Sequence, residues 1–415
     1  MNISKITESF NKFHYLIFLL VFIISSFGRN FTGIYIGKFR IGEIIVGLLV
    51  IFTHFLAFKK RGNFANFYAL FIILFYFKLL MLYGQEIELN IFRFSSIIWL
   101  IACLDLARSF QKDHKMLAIT LFSSLLFSYY INYVSYPIFL KNFFINYSDN
   151  FDYSKPSDLF LLFSTYLFLI YKFFSKKMFL INLIFFSFLY LPIFYYQSRG
   201  ALLAYIVLIL IYILNFLSFR FQLNLNKIIF YLFFLFCVGI TAYIIQLENV
   251  YYEKKAISLN VFSAEVEIKN IPSDFLYFDN KYLVSNDENI NWRIQIWQTT
   301  LYDMIDDKVL VLGNNLNNSI PIMNHPYYKT IYLNNYNLHN FLIQFFAYFG
   351  IFGLIIYFLL FKKIVLNYSD KYKNLNILVY ILPVFVVSFF DSSMESVRFP
   401  FLFYFILGYF TNNNT

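Results

Sequence analysis

Long uncharged apolar runs recur along this chain, and they decide what it can fold into. From Tyr15 to the C-terminus, stretches near or above eighteen residues carry almost no charge. A bilayer core of about 30 Å takes about 20 helical residues to cross, so each run reads as a transmembrane helix. Backbone groups in lipid must be satisfied within the segment, and the runs lack the alternation of polar and apolar residues that barrel strands need. The expected fold class is therefore all-α, a polytopic integral membrane protein. With 60% of its 415 residues hydrophobic, the chain has more apolar surface than globular cores can hide.

Charge sets the expected topology. Basic residues cluster at Lys5 and Lys12, at Lys59, Lys60 and Arg61, at Arg108, Lys112 and Lys115, and at Lys172, Lys176 and Lys177. Further clusters lie at Arg220 and Lys227 and at Lys362, Lys363, Lys371 and Lys373. They occupy every second loop, which the positive-inside rule assigns to the cytoplasm. Spans are then predicted near 14–31, 41–58, 64–83, 91–107, 116–135, 158–175, 178–197, 201–219, 228–246, 340–361, 375–390 and 399–411. That gives about twelve crossings with both termini inside. The net charge of +10 belongs to these loops, so the bilayer is the expected partner and nucleic acid is not. Cys103 and Cys237 both lie in apolar runs and read as small buried hydrophobes, not as a disulfide framework. The first run leads to Gly28-Arg29-Asn30 and not to a small-residue cleavage site, so it is expected to remain as the first span.

One loop differs from the rest in length. The expected organisation is spans one to nine in 1–246, a large external loop in 247–338 and spans ten to twelve in 339–415. The loop is polar and mixed in charge, but Ile294, Trp297, Leu301, Met304 and Ile305 recur at helical spacing and predict an amphipathic helix within it.

Candidate chemistry gathers on the external side. His339-Asn340 opens the tenth span, and glycines stand ten and thirteen residues beyond Asn340, at Gly350 and Gly353, where another helix could pack closely. An imidazole with an ordinary pKa of about 6.5 suits a general base near neutral pH, although a histidine here can also be a simple interfacial residue. Arg199, in Gln197-Ser198-Arg199-Gly200, and Arg293, opening the amphipathic helix, are either membrane anchors or phosphate ligands. Their planar fork of donors suits a pyrophosphate. Trp297 reads as a stacking partner for Arg293 or a sugar ring, or as an interfacial belt residue. The last external turn offers Asp391 and Glu395 as partners for the histidine and Arg398 as a third cation, with solvated turn charges as the plainer reading. His325 has no acidic or cysteine cluster beside it, so no metal and no cofactor is expected.

Ser-Arg-Gly at an outer turn, Arg-x-x-x-Trp at 293–297 and His-Asn-x9-Gly-x-x-Gly at 339–353 together resemble the O-antigen ligase and O-antigen polymerase superfamily. The resemblance runs from about span seven to span ten, and Val311-Leu312-Gly313-Asn314-Asn315 only loosely resembles the family's glycine-containing turn. It implies a metal-independent, inverting glycosyltransferase of the bacterial inner membrane, its site facing the periplasm, with an undecaprenyl-pyrophosphate-linked oligosaccharide as donor. In that scheme Arg199 and Arg293 bind the pyrophosphate and His339 is the base, supported by Asn340, Trp297 and Arg398. The polymerase is favoured over the ligase because the Phe-, Ile-, Asn- and Lys-rich composition points to an AT-rich gene of the kind found in sugar clusters, and a chain-length regulator is a further expected partner. A flippase for the same lipid-linked sugars remains the alternative of another class, with Lys78 and Asp105 as its candidate intramembrane charges.

Cysteine labelling from outside tests this topology. Reagent should reach a cysteine near Asn289 and not one near Lys60 or Lys362; the inverse pattern would remove the histidine from the periplasmic face.

Overall fold

The computed structural model of the protein describes residues 3–60, 62–82, 90–107, 113–218, 276–279, 282–285, 288–314, 316, 338–391 and 393–411. The expected ninth span at 228–246, His325 and Cys237 lie outside these residues. The rest is dominated by helices. In order they are α1 (Ile3–Phe27), a two-residue hairpin β1 (Tyr35–Ile36) and β2 (Phe39–Arg40), α2 (Ile41–Phe58), α3 (Ala65–Leu80) and α4 (Asn90–Trp99), which continues to Leu106 through a 3-10 turn. Then come α5 (His114–Tyr129), ending in a π turn Tyr130–Val134, and α6 (Ile138–Tyr147), α7 (Pro156–Phe173), α8 (Lys176–Gln197) and α9 (Arg199–Ser218). A second hairpin, β3 (Leu276–Asp279) and β4 (Tyr282–Ser285), precedes α10 (Glu288–Asp306), α11 (Phe341–Tyr372), α12 (Leu378–Phe390) and α13 (Arg398–Thr411).

Among the described residues, four stretches are long and apolar enough to cross a membrane: Ile41–Phe58, His114–Val134, Lys176–Gln197 and Phe341–Tyr372. Five shorter apolar helices accompany them, within α1, α3, α4 with its extension, α9 and α12. The chain is a helical, multi-pass membrane protein. Most helix limits fall within a few residues of the expected spans because caps mark them. Pro156 occupies the first turn of α7, with Asp158 at its N-terminal and Lys172 at its C-terminal end, each complementing the helix dipole. Ser175 caps α8 by accepting from the Met178 N–H at 3.2 Å. At the start of α2 the Glu43 carboxylate accepts from the Arg40 backbone N–H at 3.0 Å and from its guanidinium Nε at 2.8 Å.

Contacts divide the protein into two compact units. The larger comprises residues 1–69, 96–248 and 360–415. Its centre is α7, buried on all sides from Leu159 to Ile170, and α13, buried along its whole length. An all-round apolar helix is one enclosed by other helices, which is why neither shows an amphipathic stripe. Close approach is bought with glycine: a Cβ on Gly200 of α9 would stand 2.7 Å from the Phe390 Cβ of α12, and one on Gly408 of α13 would collide with the Leu104 carbonyl. At the ends of these helices Arg398 forms a buried ion pair with Asp158, and Ser157 donates to Asp391 at 2.5 Å.

The smaller unit comprises residues 70–95 and 249–359. Here three side chains of α10 hold β4: the Gln298 amide accepts from the Leu283 N–H and donates to the Leu283 carbonyl, both at 2.8 Å, Gln295 donates to the same carbonyl at 3.1 Å, and Asn291 accepts from the Ser285 N–H at 3.1 Å. The expected amphipathic helix is present, but its buried stripe is Ile296, Thr300 and Met304, with Leu301 and Ile305 exposed. The β-hairpin takes the face of α10 that carries Gln295 and Gln298.

Arg398→Met would leave the Asp158 carboxylate buried and unpaired. A loss of about 3–5 kcal/mol is expected, partly recovered by adding Asp158→Asn. Thermal unfolding of the purified variants checks both.

Candidate functional site

The segment around His339 is fixed by backbone capping from three directions. The Trp297 indole N–H donates to the Leu338 carbonyl at 2.8 Å, and the Gln344 side chain accepts from the Leu338 N–H at 2.7 Å. Asn340 is fully buried and caps α11, its Oδ1 accepting from the Ile343 N–H at 3.2 Å. Between these fixed neighbours His339 adopts φ +52°, the left-handed region that a bulky residue enters only under constraint. Such strain marks positions whose surroundings dictate geometry. The half-buried imidazole thus stands on an overdetermined turn at a helix N-terminus.

Gly350 then breaks α11. With φ +63° and ψ −168° it leaves helical space altogether, and the chain folds back. In a straight helix Phe341 and Tyr357 would be about 24 Å apart at 1.5 Å per residue. Their rings lie 5.6 Å apart, and those of Phe345 and Tyr357 lie 4.9 Å apart. Residues 341–349 therefore form a short arm packed against the start of 351–372. The expected tenth span, 340–361, is not one straight helix. The glycines expected to admit another helix have different tasks: Gly353 accommodates Phe349 and Phe345 of its own hairpin, and Gly350 makes the turn.

A break of this kind frees backbone groups, and the turn after α10 satisfies them. The Ile351 N–H donates to the Leu310 carbonyl at 3.0 Å and the Phe352 N–H to Val311 at 3.1 Å. In return the Asn314 N–H donates to the Ala347 carbonyl at 2.7 Å. Backbone-to-backbone approach demands small residues: a Cβ on Gly313 would lie 2.7 Å from the Gly350 nitrogen. Gly313 itself has φ +75°. Lys78, 1% exposed, closes the arrangement by donating to the Gly313 and Asn314 carbonyls at 2.8 and 2.9 Å. Lys78 and Gly313 were the parts of this device that sequence reasoning missed. Lys78 had only the form of an isolated intramembrane charge, and Gly313 that of a loose loop match.

Of the candidate residues, the structure brings Arg293, Trp297, His339 and Asn340 into the smaller unit, whereas Arg199 and Arg398 belong to the larger one. Arg293 is half-buried on α10 one turn before Trp297, so both sit on the same helical face. Trp297 uses its polar edge as a clamp on Leu338, which leaves the ring face for the expected stacking role. Arg199 is exposed as the first residue of α9, after Ser198, whose Oγ caps the helix by accepting from the Ala201 N–H at 3.2 Å. A cation there opposes the helix dipole, while the free N–H groups of the same end attract an anion. Asp391 bonds Ser157 and pairs with Lys155 at 3.7 Å, and Arg398 pairs with Asp158, so both are committed within the larger unit. Asp105, the other candidate intramembrane charge, accepts from the Tyr68 hydroxyl at 2.7 Å.

The helical, multi-pass membrane architecture thus carries His339 on a clamped turn that leads into a folded-back arm. Residues 160–358 match the family model described as O-antigen ligase, which places the chain in the O-antigen polymerase and ligase superfamily. Members of that family are membrane glycosyltransferase-like enzymes acting on lipid-linked polysaccharide. The matched segment contains Arg199, Arg293, Trp297, His339, Asn340 and both glycines of the splice, and it excludes Lys78 and Arg398. A comparison of the chain with curated proteins gives no match.

Trp297→Phe keeps the ring and removes the N–H that holds Leu338. An orphaned buried carbonyl costs about 1–3 kcal/mol, so the turn should loosen and the transfer rate fall several-fold while protein level stays normal. Hydrogen exchange at residues 338–344, measured beside turnover, checks the link.

Proposed function

We propose that the protein is an O-antigen polymerase, joining undecaprenyl-pyrophosphate-linked oligosaccharide repeat units at the periplasmic face of the bacterial inner membrane. The observation that carries this reading is the fixed His339 turn, tied through Trp297 to the helix that bears Arg293. The reading keeps about twelve spans with both termini cytoplasmic.

The chemistry follows from the groups. An acceptor sugar hydroxyl attacks the anomeric carbon of the donor from the face opposite the pyrophosphate. As the new C–O bond forms, His339 takes the hydroxyl proton, and the bond to the pyrophosphate oxygen breaks with inversion. The departing pyrophosphate gains charge, which Arg293 offsets, and Arg199 at the N-terminus of α9 is proposed as a further phosphate ligand on its own local geometry. The base and cations supply what the transfer requires, so the proposed mechanism needs no metal. Asn340 and Trp297 hold the turn. A chain-length regulator is a proposed partner.

The family description favours a second reading, the ligase, which moves the same glycan to lipid A-core. The two differ in acceptor alone. The flippase alternative needs titrating charges along a path, but Lys78 and Asp105 are each held by local hydrogen bonds.

His339→Ala should lower transfer by about 10²- to 10⁴-fold at normal membrane level, the range for a lost base. Normal surface polysaccharide in that mutant would reduce the histidine to an interfacial residue. In a deletion strain, core bearing a single repeat unit supports the polymerase, and complete loss of capped core supports the ligase.

For the arginines, Lys at 199 or 293 should keep part of the activity and Ala very little, because Lys offers a point charge in place of a fork. Full turnover by both Ala variants with purified lipid-linked donor would remove their leaving-group role. Loss of turnover on chelation would refute the metal-independent mechanism.

A further inference from the structure

The connection between α5 and α7 was expected to be an external loop, and the structure fills it with an apolar surface. Helix α6 docks chiefly through Phe144, which is 3% exposed and meets the Phe27 ring of α1 at 5.3 Å. The opposite arc of α6 turns outward, with Ile138 75% and Phe139 72% exposed, Ile145 and Tyr147 also exposed, and Asn142 and Asn146 exposed between them. The β1–β2 hairpin extends this surface, because Ile34 pairs with Ser148 and the Asp149 N–H donates to the Gly33 carbonyl at 3.0 Å. At the hairpin, Tyr35, Ile36 and Phe39 are exposed as well, beside an exposed Lys38.

So many exposed apolar side chains on one short stretch need a partner, and three observations point to lipid. First, the patch continues the exposed apolar side of a membrane-crossing stretch, since Tyr130 and Val134 at the end of His114–Val134 are exposed immediately before Ile138. Second, an aromatic cluster stands behind it, with Tyr136 and Phe151 at 4.9 Å and Lys141 over the Phe151 ring at 5.9 Å, the mixture of rings and lysines found at headgroup level. Third, the same layer holds an ion network of Arg29, Arg40, Asp149 and Asp152, which requires water or headgroups and excludes the acyl core. We propose that α6 and the β1–β2 hairpin lie in the plane of the membrane interface, their apolar side chains set into the boundary between headgroups and acyl chains and Lys38 and Lys141 reaching phospholipid phosphates.

Full-length protein with single cysteines at Phe139 or Ile36, labelled with bimane, can be reconstituted in phosphatidylethanolamine and phosphatidylglycerol vesicles. Quenching by lipids carrying a nitroxide at acyl carbon 5 should exceed that by carbon-12 nitroxides at least twofold, with iodide quenching weak. Strong iodide quenching without lipid quenching would overturn the proposal by placing the surface in water. Equal or stronger quenching from carbon 12 would overturn it by placing α6 in the acyl core, and quenching by neither would mean a protein partner covers it. A label at Phe144→Cys is a poor choice because that ring anchors the helix; Tyr147→Cys provides a third position if either first variant fails to insert.

Discussion

Backbone polarity is the constraint on which the site depends. A helix interrupted within a membrane protein exposes N–H and C=O groups that lipid cannot satisfy, and each costs several kcal/mol, about the net stability of a small domain. The fold meets this by splicing a second chain segment into the gap at Gly350: two loop carbonyls take the freed N–H groups, and one loop N–H takes the freed carbonyl. Two glycines and a buried lysine of the smaller unit follow from that exchange. Gly313 and Gly350 are glycines because two backbones meet there, and Lys78 is buried because the inserted loop has carbonyls of its own to satisfy. Broken helix at depth is tolerated where protein encloses it, and the enclosure is what lets a short arm carry His339.

The helical limits were legible from composition and caps. Helix α2 occupies the residues expected of the second span, and α8 and α12 end where expected, because apolar length, Ser and Pro caps and basic ends are local signals. The fold-back at Gly350 was not legible. A glycine in an apolar run reads equally as a packing notch, and what makes it a break is a bonding partner some forty residues upstream. The same holds for Trp297, whose ring is visible in sequence but whose indole N–H bond to Leu338 depends on tertiary contact. Lys78 shows the converse error: an intramembrane charge suggests a transport path, yet its acceptors are two backbone carbonyls far along the chain.

Charge in the larger unit is spent differently. Arg398, Asp158, Asp391 and Lys155 pair with neighbouring helix ends, so these residues tie the ends of α7 and α13 together. Arg199 contrasts with them, exposed at a capped helix start where an anion is favoured. A span count puts Arg199, Asp391 and Arg398 on one external face and cannot separate them further. Burial and pairing distinguish them: Arg398 is buried and ion-paired, Arg199 exposed.

The central claim is that His339, held by this splice, is the base. A base must be unprotonated to accept the acceptor's proton, so kcat should rise with pH through the imidazole range and level off above it. The direct measurement is the pH dependence of single-turnover transfer by purified protein and by His339→Gln. The account predicts a rising limb between about pH 5 and 7.5 in the wild type that is absent from the residual activity of the variant. The same limb in both proteins would contradict it, because another group would then be taking the proton.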